Sequence, residues 1–218
     1  MHDFKTLAGE LYSAVISDTL DSFGLMHQAM RPFIRPLDDT LVIFGRARTG
    51  RFVERGPLPE GENPYLIEVK LLDDLKPGDI SVLACGGPTD TIAPWGELLT
   101  TASIARGASG CVTDGLVRDV RHIRSLRYPV FHGGIGPLDT KGRAYMTEMD
   151  TTVVCGGVTV KSGDLVFGDV DGVVVIPSEY ADRVIARARE KITSENHSRD
   201  ELRRGLLLRE VYEKYGVL

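Results

Sequence analysis

Trp95 to Pro129 reads W-G-E-L-L-T-T-A-S-I-A-R-G-A-S-G-C-V-T-D-G-L-V-R-D-V-R-H-I-R-S-L-R-Y-P, and its interpretation decides the fold. Leu98, Leu99, Ala102 and Ala105 recur at three- and four-residue steps, which predicts a short helix that Gly107 stops. Cys111–Thr113 is a β-prone run closed by the turn pair Asp114-Gly115, and Arg118-Asp119 opens a second helix. Upstream, Ile80–Ala84 is a further strand candidate, so the order is strand, helix, strand: a βαβ unit with parallel strands.

Parallel strands bring the loops that follow them to one carboxyl edge, where open α/β sheets bind ligands. Glu97 follows the first loop and Arg118-Asp119 the second, so the three are expected to converge across twenty intervening residues. An arginine grips a carboxylate through paired hydrogen bonds, and an aspartate holds a hard divalent cation that keeps most of its waters. The competing reading makes Glu97 a complement to a helix dipole and Arg118-Asp119 ordinary surface charges.

Outward from this stretch, 218 residues suit one domain spanning 1–218, with a helical extension from about residue 178. A net charge of -5 offers no overall basic footprint for nucleic acid. Cys85, Cys111 and Cys155 are too widely spaced for a zinc motif or disulfide framework, which fits a reducing, cytoplasmic compartment. The start, Met1-His2-Asp3-Phe4-Lys5, lacks a signal-peptide core, and no apolar run is long enough for a bilayer.

Leu7, Leu11, Ala14 and Val15 predict a first helix, with Ser17-Asp18 capping a second that Gly24 stops. Strands are expected at Leu41–Phe44 and Ala47–Val53, a loop at Arg55–Pro64, and a helix at Leu66–Leu72. Lys76-Pro77-Gly78-Asp79 and Lys161-Ser162-Gly163-Asp164 echo one another as turns feeding strands. Short β segments from Val153 to Ile176 suggest an antiparallel part beside the βαβ unit. Ser178 is expected to cap the next helix, and Ser198-x-x-Glu201 reads as a capping box for the last, with Leu202, Leu206 and Val211 inward.

Several chemistries are excluded. The glycine clusters at 86–87 and 133–136 do not match a dinucleotide loop, and neither a P-loop nor a serine elbow is present. His2, His27, His122, His132 and His197 lack zinc spacing and read as surface or satisfied side chains. No lysine lies between Lys76 and Lys141, so any carbonyl chemistry here favours a metal over an imine.

G-E-L-L at 96–99, G-x-x-G at 107–110 and V-T-D-G-L-V-R-D at 112–119 resemble the family of class II pyruvate aldolases and regulator-of-ribonuclease-activity-A-like proteins. So do F-H-G-G-I-G-P-L-D-T-K-G-R at 131–143 and G-D-L-V-F-G-D-V-D-G-V-V-V-I-P at 163–177. The resemblance implies an α/β fold, a layered αββα sandwich with a βαβ core and flanking C-terminal helices, assembled as a homotrimer or homohexamer with sites between subunits. It implies that Asp119 ligates Mg2+ or Mn2+ and that Arg118 binds the pyruvyl part of a keto acid substrate. The backbone amides of Leu98 and Leu99 would hold its carboxylate. Glu97 stands where the aldolases usually carry aspartate, the residue that positions or deprotonates a water, and its extra methylene alters the reach to that water. Glu195 lies near a glutamate that the family supplies from a neighbouring subunit. The implied reaction is cleavage of a 4-hydroxy-2-keto diacid to pyruvate, with oxaloacetate decarboxylation as a companion. The same resemblance leaves a non-catalytic alternative, a regulator that binds a ribonuclease.

Overall fold

The computed structural model describes residues 3–216, so the readings at Met1 and His2 lie outside the described residues. Helices α1 (Phe4–Glu10) and α2 (Ser13–Ser22) precede strands β1 (Arg35–Pro36) and β2 (Ile43–Glu54). Next come α3 (Leu66–Asp73), β3 (Asp79–Ala84), α4 (Glu97–Ala105) and β4 (Gly110–Thr113). They are followed by β5 (Leu116–Val117), α5 (Val120–Leu126), β6 (Val130–His132) and β7 (Gly134–Ile135). The rest is β8 (Ala144–Met149), β9 (Val153–Cys155), β10 (Val158–Val160), β11 (Leu165–Asp169), β12 (Gly172–Ile176), α6 (Ala181–Arg203) and α7 (Leu208–Tyr215).

The main sheet runs β1-β6-β4-β3-β2-β11-β12, with β8 also on β2. The expected βαβ unit is present: β3 and β4 are parallel, with Ile80 beside Gly110 and Leu83 beside Thr113. β11 joins β2 and β12 antiparallel, while β9 and β10 form a separate hairpin.

Side chains alternate along each strand, and the alternation sorts the core into layers. Ile43, Ile80, Val82, Val112, Phe131, Val166 and Val175 face inward, onto Val153, Cys155, Val158 and Val160 of the hairpin. Leu83, Cys111 and Val130 face outward beneath Leu71 and Leu72 of α3 and Ile123 of α5. Phe44, Leu165, Phe167 and Val174 face outward beneath α1, α2 and α6. The sheet curls around the inner cluster. β6 and β11 stand several strands apart, yet a Cβ on Gly168 would lie 3.0 Å from the Phe131 ring. The segment before β2 links the two sheet ends: Met30 N–H donates to Val173 C=O at 2.8 Å, and Leu37 N–H to Val130 C=O at 2.8 Å. The layered sandwich is therefore one nearly closed sheet with helices on both outer sides.

Several predicted boundaries are corrected. The first helix ends at Glu10 and the next begins at Ser13, not at Ser17-Asp18. Asp169, from the end of β11, accepts from Ser13 N–H at 2.8 Å and Ser13 Oγ at 2.7 Å, satisfying donors that a helix start leaves open. The two strands expected before residue 54 are one, and Leu41 and Val42 lie outside it. Ser178 does not cap α6; its N–H donates to Asp164 Oδ1 at 2.9 Å. Ser198 is buried in the middle of α6, so no capping box forms there. Gly205, at φ 92°, follows the end of α6, and Glu210 closes the start of α7 by accepting from Leu207 N–H at 3.2 Å. Val211 is inward as expected, whereas Leu202 and Leu206 are exposed.

The lysine-glycine-aspartate echo is real turn chemistry. Asp79 and Asp164 each accept from the N–H of the lysine three residues earlier at 2.8 Å, with Gly78 and Gly163 in the left-handed region.

His132 departs from the surface reading. It is buried at the end of β6, and its Nδ1 has no hydrogen-bond partner. Burial, with Arg124 nearby, pushes its pKa down to about 4 from the usual 6.5. The folded state then refuses a proton that the unfolded chain accepts, so stability should fall as pH drops from 6.5 toward 4. The loss is on the order of 3 kcal/mol. His132→Gln should flatten that part of the profile when urea unfolding is followed at pH 7 and pH 4.5. An identical acid loss in both proteins would show that His132 does not carry it.

Candidate active site

The βαβ unit delivers the predicted convergence. Arg118 N–H donates to Trp95 C=O at 3.0 Å, which ties the turn after β5 to the strand-like entry of α4. Asp119 is the N-cap of α5 with φ 57°, a left-handed conformation that aspartate tolerates better than most residues. Its carboxylate does not cap its own helix. Oδ2 instead accepts from Glu97 N–H, at the start of α4, at 3.1 Å. Gly96 is required here: a Cβ would lie 2.8 Å from Asp119 Oδ2 and 3.2 Å from Arg118 Cγ.

The first turn of α4 presents the Leu98 and Leu99 amides where the helix itself supplies no acceptor. Leu98 is 78% exposed, Leu99 is half-buried against the core, and Thr100 and Ser103 are the buried residues of α4, so only part of the helix's apolar stripe faces inward. Trp95 Nε1 donates to Thr100 Oγ1 at 2.9 Å and holds the helix entry. The Glu97 side chain lies along the helix, accepting from Thr101 Oγ1 at 2.7 Å.

A cavity of about 310 Å³ is lined by Tyr65, Glu68, Val69, Ala93, Pro94, Trp95, Gly96, Leu98, Leu99, Arg118, Asp119, Asp139 and Thr140. Glu97 adjoins it through its backbone N–H on Asp119 but is not among the lining residues. Arg118 approaches Asp139 at 3.7 Å and Asp119 at 4.0 Å. Both distances exceed a hydrogen bond, so the guanidinium keeps donors for a ligand. Tyr65 Oη donates to Asp139 Oδ2 at 2.8 Å. Burial raises the Tyr65 pKa to about 12, with Asp139 adding to it. Burial works against the Asp139 charge, but Tyr65, backbone donors and Arg118 together hold its pKa below the usual value.

Tyr65, Glu68 and Asp139 were not singled out by sequence reasoning. A signal existed for two of them. Asp139 sits inside the 131–143 motif, and Glu68 falls three and four residues before Leu71 and Leu72, on their buried face.

Glu195 stands elsewhere in this chain. It accepts from Tyr12 Oη and lines a cavity of about 350 Å³ formed by α2, α6 and α7. Within one chain it is not among the residues around Arg118 and Asp119.

Among the described residues no cluster of three or more His, Cys, Asp or Glu forms a protein cage for a metal. The donor set at the cavity is the Asp119 carboxylate, 46% exposed, with Glu97 on the adjoining turn. That set fits a hard ion such as Mg2+ or Mn2+ that retains waters and takes few protein ligands, and does not fit a closed tetrahedral zinc site.

A family model described as RraA-like, Aldolase/RraA, matches residues 13–175. The chain belongs to the RraA-like family. One RraA-like relative, from Halalkalibacterium halodurans, is named "Putative 4-hydroxy-4-methyl-2-oxoglutarate aldolase" and is 33% identical over 190 residues, 87% of this chain and 83% of that protein. Protein DlpA of Legionella pneumophila is 30% identical over 203 residues, 93% of this chain, which spans only 32% of DlpA. The crystal structure of Streptomyces coelicolor RraAS2, described as an unusual member of the RNase ES inhibitor RraA protein family, has a TM-score of 0.81 at 27% identity. The match covers 92% of this chain and 98% of that one. The layered α/β architecture is thus that of RraA-like proteins. No helix among the described residues is long and apolar enough to cross a membrane.

Proposed function

We propose that this RraA-like protein is a divalent-metal-dependent class II aldolase that cleaves a 4-hydroxy-2-keto diacid to pyruvate and a second keto acid. The observation that carries the reading is the meeting of Arg118, Asp119 and the first-turn amides of α4 at one cavity. A neutral binding surface has no need of a guanidinium with free donors beside an ion-competent carboxylate and two open amides.

The Leu98 and Leu99 amides hold the substrate's carboxylate at the positive end of α4. Arg118 donates to the keto oxygen, where negative charge grows as the bond between C3 and C4 breaks. Glu97, through a water, accepts the proton of the 4-hydroxyl, so that oxygen becomes the carbonyl of the departing keto acid. The bonding pair remains on the pyruvyl fragment as an enolate, which gains a proton at C3 to leave as pyruvate. A divalent ion held by Asp119 supplies Lewis-acid polarisation of the substrate carbonyl. Glu195, which in its own chain lines a different cavity, would join this site from a neighbouring copy in a homotrimer or homohexamer. Loss of carbon dioxide from oxaloacetate produces the same enolate, so decarboxylation accompanies the aldol chemistry.

The test is a panel of 4-hydroxy-2-keto diacids and oxaloacetate, with Mg2+ or EDTA, coupled to lactate dehydrogenase. Pyruvate release that EDTA abolishes is expected. Silence across the panel, together with capture of a ribonuclease in a pull-down, would favour the second reading. That reading, a non-catalytic regulator of a ribonuclease, is supported by the likeness to RraAS2.

A further inference from the structure

Glu68 lies in the first turn of α3, and the mechanism above does not use it. It lines the same cavity as Arg118, Asp119 and the α4 amides, yet it is only 5% exposed. Its Oε2 is buried without a hydrogen-bond partner, an arrangement that costs free energy unless a ligand completes it. The cavity of about 310 Å³ has room for roughly ten water-sized groups, and pyruvate, with about six heavy atoms, leaves part of it empty. Tyr65 and Asp139 are already joined to each other, so Glu68 is the polar group on this wall with an atom left to pair.

We propose that Glu68 reads the far end of the ligand: its carboxyl group hydrogen-bonds an oxygen on the fragment beyond the pyruvyl group, and so selects 2-keto diacids over 2-keto acids ending in a methyl. The assignment rests on the pyruvyl half occupying the α4 and Arg118 side, as in the proposed function. Protonation supports it. Burial, with Asp139 adding and Arg118 opposing, raises the Glu68 pKa to about 8. At neutral pH the group therefore carries an O–H that can donate to a carboxylate. The groups acting on it are Asp139 and Arg118, with coupling to Tyr65 just before its own helix and to the Cys85 thiol just after β3; Asp119 lines the same cavity.

The test is calorimetric binding, with Mg2+, of 2-oxoglutarate, 2-oxopentanoate and pyruvate; none carries a 4-hydroxyl, so none is cleaved. Wild-type protein should prefer 2-oxoglutarate to 2-oxopentanoate by about tenfold at pH 7. The preference should fade above about pH 8, as an ionised Glu68 repels the second carboxylate. Glu68→Leu should bring the ratio near one at every pH, while Glu68→Gln, which still donates, should keep the preference but lose its pH dependence. A Leu variant that retains the tenfold preference overturns the proposal, as does wild-type protein that binds pyruvate without discriminating between the longer acids. Wild-type protein that fails to bind pyruvate at all overturns the pyruvyl-site reading, and this one with it.

Discussion

Arg118→Lys is expected to lower kcat/KM for pyruvate release by roughly 10²–10³-fold, mostly through kcat. The guanidinium sits 3.7 Å from Asp139 and 4.0 Å from Asp119, close enough for both to orient it and too far for either to consume its donors. It can therefore present a planar fork to a keto acid whose oxygen gains charge in the transition state. Lysine preserves the positive charge and loses the fork, so electrostatic attraction for the substrate survives while the directed hydrogen bonds do not. Steady-state kinetics on the most active member of the keto acid panel would check this. A loss confined to KM would reduce Arg118 to a general attractor of anions. Wild-type turnover in the lysine variant would remove it from the mechanism.

Glu68→Leu is expected to stabilise the fold on the order of 4 kcal/mol near pH 7.5. The sign follows from the direction of the shift. The folded-state pKa, about 8, lies above the ordinary 4.5, so below pH 4.5 both states hold the proton and Glu68 adds no pH-dependent cost. Between 4.5 and about 8 the unfolded chain releases a proton that the folded chain retains, and stability declines steadily with rising pH. Leucine abolishes that decline and removes the unpartnered Oε2. The unfolding midpoint should rise by roughly 10 °C at pH 7.5 and by much less at pH 4.5. Equal gains at both values would mean that packing, rather than ionisation, is responsible. A cavity residue whose removal strengthens the fold is the signature of a group retained for binding.

Much of this was legible in the chain itself. Ile80–Ala84 and Cys111–Thr113 are short, mostly apolar runs buried at every position because both faces of their strands are covered, and Asp114-Gly115 ends the second with a turn. Parallel pairing of those runs sufficed to bring position 97 beside 118 and 119. Glu68 was passed over because a carboxylate in an amphipathic helix ordinarily faces water, although its spacing to Leu71 and Leu72 marked the buried face, and Tyr65 carried no such mark; the packing of α3 over the sheet turns Glu68 inward. His132 was hidden for a similar reason: nothing in its neighbours announces that the end of β6 is covered, with Arg124 of α5 nearby. The helix starts at Ser13 and Leu208 were misplaced because the acceptor at Ser13 is Asp169, far along the chain, while Ser198, a good capping residue, was absorbed into a longer helix.

From the order of residues alone came the α/β class, the βαβ unit and the place where an arginine-aspartate pair meets a helix start. Hydrophobic period and turn chemistry are local, and they act over a few residues at a time. The tertiary structure alone decided which side chains border the cavity, that the Glu97 carboxylate lies along its helix toward Thr101, and that Glu195 stands beside Tyr12. Those outcomes depend on how a curled sheet brings distant elements into contact, and burial and hydrogen-bond pairing are properties of such contacts rather than of neighbouring residues in the chain.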